Sequence, residues 1–203
     1  MIRNLIFDFG KVLVDYTFDS LKTYISDPEE SARFYQLVTD PQLVDRWDKE
    51  LTPYNDIVAE LKQKYPQWAE QLQHFSDHQI DIILGEMPGM HDLLIRLKKE
   101  GFHLYGLSNW SSKVYEVMDK YDIFQLLEGR IISSEAHILK PDIAIYQTLL
   151  DTYHLRAEEC VFTDDKLINV EGARAAGLHA ILFQNAEQYT RDLRNIITAE
   201  CNS

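Results

Sequence analysis

Several things are scarce in this sequence, and each scarcity narrows what the chain can be. There are only two cysteines in 203 residues, Cys160 and Cys201. They stand far apart in no pairing motif, which argues against a disulfide framework and against a thiolate metal site. Basic residues are outnumbered, 20 Lys and Arg against 33 Asp and Glu, for a net charge of -13. With no basic stretch to offset that charge, the chain is expected to repel nucleic acid and anionic membranes. No apolar run approaches the ~18 residues of a membrane span, and the N-terminus has no long apolar segment of signal-peptide type. A cytoplasmic location with reduced cysteines is therefore expected. Internal repeats and low-complexity tracts are also missing. What remains, 45% hydrophobic and 26% charged, is enough to bury a real core.

Short apolar runs bounded by turn or polar residues predict strands over 4–7, 102–107, 130–132, 160–163 and 179–183. Between them, helical spacing predicts helices over 90–99, closed by Gly101, over 113–121, over 144–153, entered through Pro141, and over 169–176, closed by Gly177. The tail beyond Glu187 reads as one more helix. Strands alternating with helices imply an α/β fold, a doubly wound, Rossmann-like parallel sheet. From about Phe18 to Glu86 the rhythm breaks. Helix starts at Asp27-Pro28 and Thr52-Pro53, aromatic and aliphatic residues at helical intervals, and no convincing strand predict an inserted helical domain. The expected organisation is a core of 1–16 and 87–203 with an insertion over 17–86.

The first strand ends on a carboxylate, Asp8 in IFDFGKVLV. Asp followed by Gly after a strand is ordinary turn chemistry, so Asp8 alone decides nothing. Three other predicted strand ends or loops also carry polar residues: Ser108 and Asn109 in LYGLSNW, Lys140 in LKPDIAIY, and Asp164-Asp165 in FTDDKLINVEGA. A parallel sheet would bring all of them to its carboxyl edge, where open α/β folds bind ligands. Ser108 equally serves as a helix N-cap, and Lys140 before Pro141 as a plain helix approach. The adjacent carboxylates are harder to explain without a cation, because each raises the other's pKa. Magnesium, which takes hard oxygen ligands, suits Asp8 with Asp164 and Asp165; with no His or Cys cluster beside them, zinc does not. In such an assembly Asp8 would attack phosphorus in line, while Ser108, Asn109 and Lys140 hold the transferring oxygens, and water would then hydrolyse an aspartyl-phosphate.

In order and in composition these four motifs resemble those of the haloacid dehalogenase superfamily, and the resemblance covers essentially the whole chain. The insertion looks like the small helical cap of its first structural subgroup, and the pattern is similar to bacterial sugar phosphatases such as the α-D-glucose-1-phosphate phosphatase family. The resemblance implies Asp8 as nucleophile, with Ser108 and Lys140 as phosphate binders and catalytic partners. The backbone carbonyl of Gly10 would be a magnesium ligand, Asp165 the principal carboxylate ligand after Asp8, Asp164 an assistant directly or through water, and Asn169 an orienting residue. It also implies a small phosphorylated metabolite as partner, such as a hexose 1-phosphate, and a monomer or weak dimer.

One position departs from the family pattern. Most phosphatases of the superfamily carry a second Asp two residues after the nucleophile, where this chain has Gly10. The missing general acid would cost roughly 10²- to 10⁴-fold in rate. Either the leaving group needs little help, as the anomeric oxygen of a sugar 1-phosphate would, or Lys11, Asp15 or a cap side chain stands in, or the protein is a slow or non-catalytic phosphate-binding relative. Lys11 and Asp15 are also read as surface charges. A 2-haloacid dehalogenase is the other alternative, though it needs no Asp164-Asp165 pair. Beyond the phosphate, Trp110 is expected to border the substrate or pack on the neighbouring helix. Arg46, Trp47 and Trp68 are the cap residues in question, each with an ordinary place on a helix surface or in a helical core.

Overall fold

The computed structural model describes residues 1–201, with side chains through residue 199. Residues 202 and 203 and the side chain of Cys201, for which a helical tail and a reduced thiol are expected, lie outside the described residues. In chain order, β1 (Asn4–Phe7) and β2 (Val14–Tyr16) lead into four helices, α1 (Pro28–Val38), α2 (Pro41–Lys49), α3 (Tyr54–Lys64) and α4 (Ala69–Asp77). The chain returns through β3 (Ile83–Glu86) to α5 (Met90–Lys99), β4 (His103–Ser108), α6 (Val114–Lys120) and β5 (Gly129–Ile132). It continues with α7 (Ser133–Ala136), α8 (Ile143–Tyr153), β6 (Cys160–Asp164), α9 (Leu167–Ala175), β7 (His179–Leu182) and α10 (Ala186–Cys201).

Five strands form one parallel sheet in the order β5-β4-β1-β6-β7. Its central strand, NLIF, is buried along its whole length, as a strand covered on both faces must be. Successive residues feed opposite layers: Leu5 and Phe7 join the core under α5, α6 and α10, and Ile6 joins the one under α8 and α9. The helices of the insertion build a third apolar core of their own around Phe34, Trp47, Ile57, Trp68 and Phe75.

Register sets the height of the functional groups. Phe7 lies opposite Gly106 of β4 and Thr163 of β6, and the Asp8 amide donates to the Thr163 carbonyl at 2.9 Å. Asp8 and Asp164 therefore leave the sheet at the same level, one residue beyond that pairing.

The insertion departs from the sequence reading in two respects. Residues 83–86 are a strand, paired antiparallel with β2, where no strand was expected. Gly85 interrupts the apolar run and Leu84 is largely exposed, so the segment has neither the length nor the alternation of a strand, and cross-strand pairing forms it. A second helix start was also overlooked. Asp40 caps α2 by accepting from the amides of Gln42 and Leu43 with Pro41 in the first turn, the same device that Asp27 and Pro28 use at α1.

Candidate active site

Lys140 organises the site. It is almost wholly buried, and its ammonium donates to the Leu107 carbonyl at 3.0 Å, to Asp8 Oδ1 at 2.9 Å and to Asp164 Oδ2 at 2.6 Å. Burial works against its charge, but the two carboxylates win and hold the ammonium above its ordinary pKa. All three donors of the ammonium are thus spent within the protein. The expected phosphate contact from Lys140 has to come through its charge or through exchange of its bond to Asp8.

The loop that carries Lys140 is fixed from two sides. The Asn109 side chain donates to the Lys140 carbonyl at 3.0 Å and accepts from its amide at 2.8 Å. The amide of Asn109 thus positions Lys140, while the residue also lines the cavity described below. On the other side α9 comes very close, because Gly172 has no side chain: a Cβ there would lie 2.7 Å from the Pro141 carbonyl.

Asp164 is equally committed. Its Oδ1 accepts from the Lys166 amide at 2.8 Å, and the Asn169 amide spans both oxygens at 3.1 and 3.0 Å. Burial alone would raise its pKa, but Lys140 and these donors hold it below the usual carboxylate range. Asp8 goes the other way, pushed up to about 7 by burial and by Asp164, against the pull of Lys140. The two carboxylates share one cation, so their titrations belong to the pair. Asp165, half-buried beside them, is raised by burial and by its neighbour. Asp8, Asp164 and Asp165 offer oxygens within 4.8 Å of one another, the arrangement of a hard-cation site. The hydroxyl of Ser108, 1% exposed and near enough to Asp8 to help lower it, has no hydrogen bond of ordinary geometry.

These groups open onto a cavity of about 120 Å³ between the sheet edge and the insertion. The core side contributes Asp8, Gly10, Ser108, Trp110, Asp165 and Lys166, and the insertion contributes Val44, Trp47, Asp48, Phe75 and Gln79. Trp110 borders the cavity as expected, with its ring 3.8 Å from where a Cβ of residue 10 would sit. Trp47 also lines it, its indole N–H buried and unpartnered. Trp68 and Arg46 do not. Trp68 lies in the insertion's own core with its N–H on Glu30 at 3.0 Å, and Arg46 is paired with Glu60 on the surface. Lys11 and Asp15 pair with each other at 2.5 Å and do not line the cavity.

Two lining residues had no signal of their own in the sequence. Tyr16 is one, its phenol pushed up to about 12 by burial and by surrounding carboxylates. Asp48 is the other; it sits on α2, and only the overlooked Asp40-Pro41 start would have put that helix, with Trp47 beside it, near the cavity.

A buried aspartate at the carboxyl end of a central parallel strand, with a lysine, a second carboxylate pair and a helical insertion above it, defines the class. The chain belongs to the haloacid dehalogenase-like hydrolase family, whose model matches residues 5–183. Among characterised proteins, the drimenol cyclase of Aspergillus calidoustus is 35% identical over 94 residues, covering 46% of this chain and 18% of that one. The D-ribitol-5-phosphate phosphatase of Bacteroides thetaiotaomicron is 20% identical over 98% of this chain and all of its own. Over the first five relatives the matched region covers only 18% to 56% of their length. A crystal structure of a family enzyme from the same Bacteroides species, in complex with magnesium and inorganic phosphate, superposes with a TM-score of 0.73. It covers 92% of this chain and 96% of its own at 19% identity, a likeness of fold.

Proposed function

We propose that this chain is a magnesium-dependent phosphomonoester hydrolase that works through an aspartyl-phosphate on Asp8. The observation that carries the reading is the buried set of Asp8, Lys140, Asp164 and Asp165 at the end of the central strand. A dehalogenase attacking carbon needs no metal ion, and so no cluster of three carboxylates to hold one.

The donor set fits magnesium. All the side-chain ligands are oxygens, and one lysine bridges two of the carboxylates, which leaves the cluster short of positive charge. Because Asp164 is already taken up by Lys140, Asn169 and the Lys166 amide, the direct ligands would be Asp8, Asp165 and the Gly10 carbonyl, with Asp164 acting through water. What the ion supplies there is neutralisation of the phosphoryl oxygens. The rest is the work of side chains. Asp8 is held for in-line attack by the Phe9 amide at 2.7 Å and by Lys140. The unpartnered Ser108 hydroxyl meets a phosphoryl oxygen, and that contact supplies the bond it lacks. Lys140 stabilises the charge that builds on the transferring group.

The substrate is a small phosphorylated metabolite. The cavity lies beneath α2 and α4, and Trp47, Phe75 and Trp110 give it apolar surface against which a short sugar or polyol chain would pack. A hexose 1-phosphate, with its more acidic leaving oxygen, is the form best suited to a chain with Gly10. In this reading 17–86 is the cap domain, 1–16 and 87–203 are the core domain, and the enzyme is cytoplasmic. No described helix is long and apolar enough to cross a membrane.

The test is release of inorganic phosphate from a panel of sugar and polyol phosphates, with magnesium or with a chelator, for the native protein and Asp8→Asn. Magnesium-dependent release that vanishes in the variant is expected. Absence of release from every ester by folded protein would sink the reading.

A further inference from the structure

The place where the family's second aspartate normally stands is closed in this chain. A Cβ at position 10 would lie 2.8 Å from Cε1 of Tyr16, so the tyrosine ring occupies the volume an acidic side chain would need. A general acid must come from another wall of the cavity. Of the carboxyl groups that line it, Asp8 and Asp165 belong to the cluster at the sheet edge, and the third is Asp48. The Lys11–Asp15 pair, satisfied within itself, lies elsewhere.

Asp48 is also held still. It is in the last turn of α2, and its carbonyl accepts from the Ser133 hydroxyl at 2.5 Å, which in turn accepts from the Trp110 amide at 2.9 Å. Its backbone is therefore tied to the core, while its side chain faces the same cavity as Asp8.

We propose that Asp48, presented from the cap, is the general acid and base of the reaction in place of the residue that Gly10 and Tyr16 exclude. This rests on the phosphatase reading above. In the first step Asp8 Oδ bonds to phosphorus, the ester P–O bond breaks, and the departing oxygen takes the Asp48 carboxyl proton. In the second, water adds to phosphorus as the Asp48 carboxylate takes its proton, and inorganic phosphate leaves with the Asp8 carboxylate restored. Overall, ester and water give alcohol and phosphate, and Asp48 ends protonated as it began. Burial favours the required form, pushing the carboxyl up to about 7, with Asp45 and Asp8 adding to the shift and Lys166 and Lys140 opposing it.

Two kinds of ester separate this role from a structural one. An alkyl phosphate such as glycerol 3-phosphate or ribitol 5-phosphate has a poor leaving group and needs the proton, whereas p-nitrophenyl phosphate does not. In single-turnover experiments, which report the first step alone, Asp48→Asn is expected to slow alcohol release from the better alkyl ester by roughly 10²- to 10⁴-fold and the burst of p-nitrophenol by less than about tenfold. On the alkyl ester, the fall in rate as pH rises past neutrality should disappear in the variant. Should Asp48→Asn fail to fold, Asp48→Ser removes the same carboxyl and is read the same way, with the p-nitrophenol burst reporting that the site is intact. Equal losses on both esters in that first step, or no loss on the alkyl one, would overturn the assignment while leaving the phosphatase reading standing. A native protein inactive on both esters would overturn both.

Discussion

The sheet edge and the cap wall meet at one cavity, yet they hold their polar groups in opposite ways. On the sheet side every hydrogen of the Lys140 ammonium, both oxygens of Asp164 and the amide of Asn109 are engaged by protein partners. On the cap side the lining is mostly Val44, Trp47 and Phe75, with the indole N–H of Trp47 unpartnered and Asp48 raised by burial. The difference separates two jobs. A network in which only the Ser108 hydroxyl is left over fixes the geometry of one chemical step, whereas a wall of apolar surface and a few uncommitted polar groups takes its partners from whatever molecule enters.

The comparison breaks first at Lys140. Lys140→Met leaves two buried carboxylates facing each other without their cation, so the loss should be near-complete for turnover and about 3–5 kcal/mol for stability. Urea unfolding with a chelator present measures it, and magnesium should return part of the lost stability. On the cap side the counterpart is Glu50, whose carboxylate accepts from both the amide and the hydroxyl of Ser112 at 2.7 and 2.9 Å. Glu50→Ala should cost only about 1 kcal/mol, because the pair is partly solvated. It should raise KM more than it lowers kcat, as steady-state kinetics would show.

A smaller effect sharpens the electrostatic side of the contrast. The Asp48 carboxyl is raised in the folded protein, so between its unfolded value near 4 and about 7 the folded state holds a proton that the unfolded state has lost. The native protein therefore loses stability relative to Asp48→Asn as pH rises through that window, and the difference should be level above about 8. Thermal unfolding of both proteins in chelator at several pH values checks the sign. Last, Arg46→Ala should leave melting and turnover unchanged, since its pairing with Glu60 is exposed and outside the cavity.

The core half of the site was legible because its signals are local. Asp8, Ser108 and Asp164-Asp165 stand at the ends of short buried strands, which parallel pairing carries to one edge, and Lys140 stands in the loop before α8, so the four could be grouped from the sequence. The cap half was not legible for the same reason in reverse. Asp48 is one carboxylate among several on an amphipathic helix, and only the packing of α2 onto α7 and the clasp at Ser133 decide that it faces inward. Tyr16 lies on a three-residue strand that exists only through its pairing with 83–86. The two tryptophans of the cap show how little residue type alone can say, since Trp47 lines the cavity and Trp68 is buried in the helical core.

That pairing of β2 with β3 has a wider consequence. The insertion leaves the core at Tyr16 and re-enters it at Ile83, and these two residues are partners across a single ribbon. To the core, everything in between is the tip of one long hairpin whose ends are already joined, so its length and content add little to the cost of closing the chain. A different set of helices could be grafted onto the same ribbon without disturbing Asp8, Lys140 or Asp164. Such an exchange would replace Val44, Trp47, Asp48 and Phe75 together as one inherited unit, while the carboxylates and the lysine stayed behind at the sheet edge.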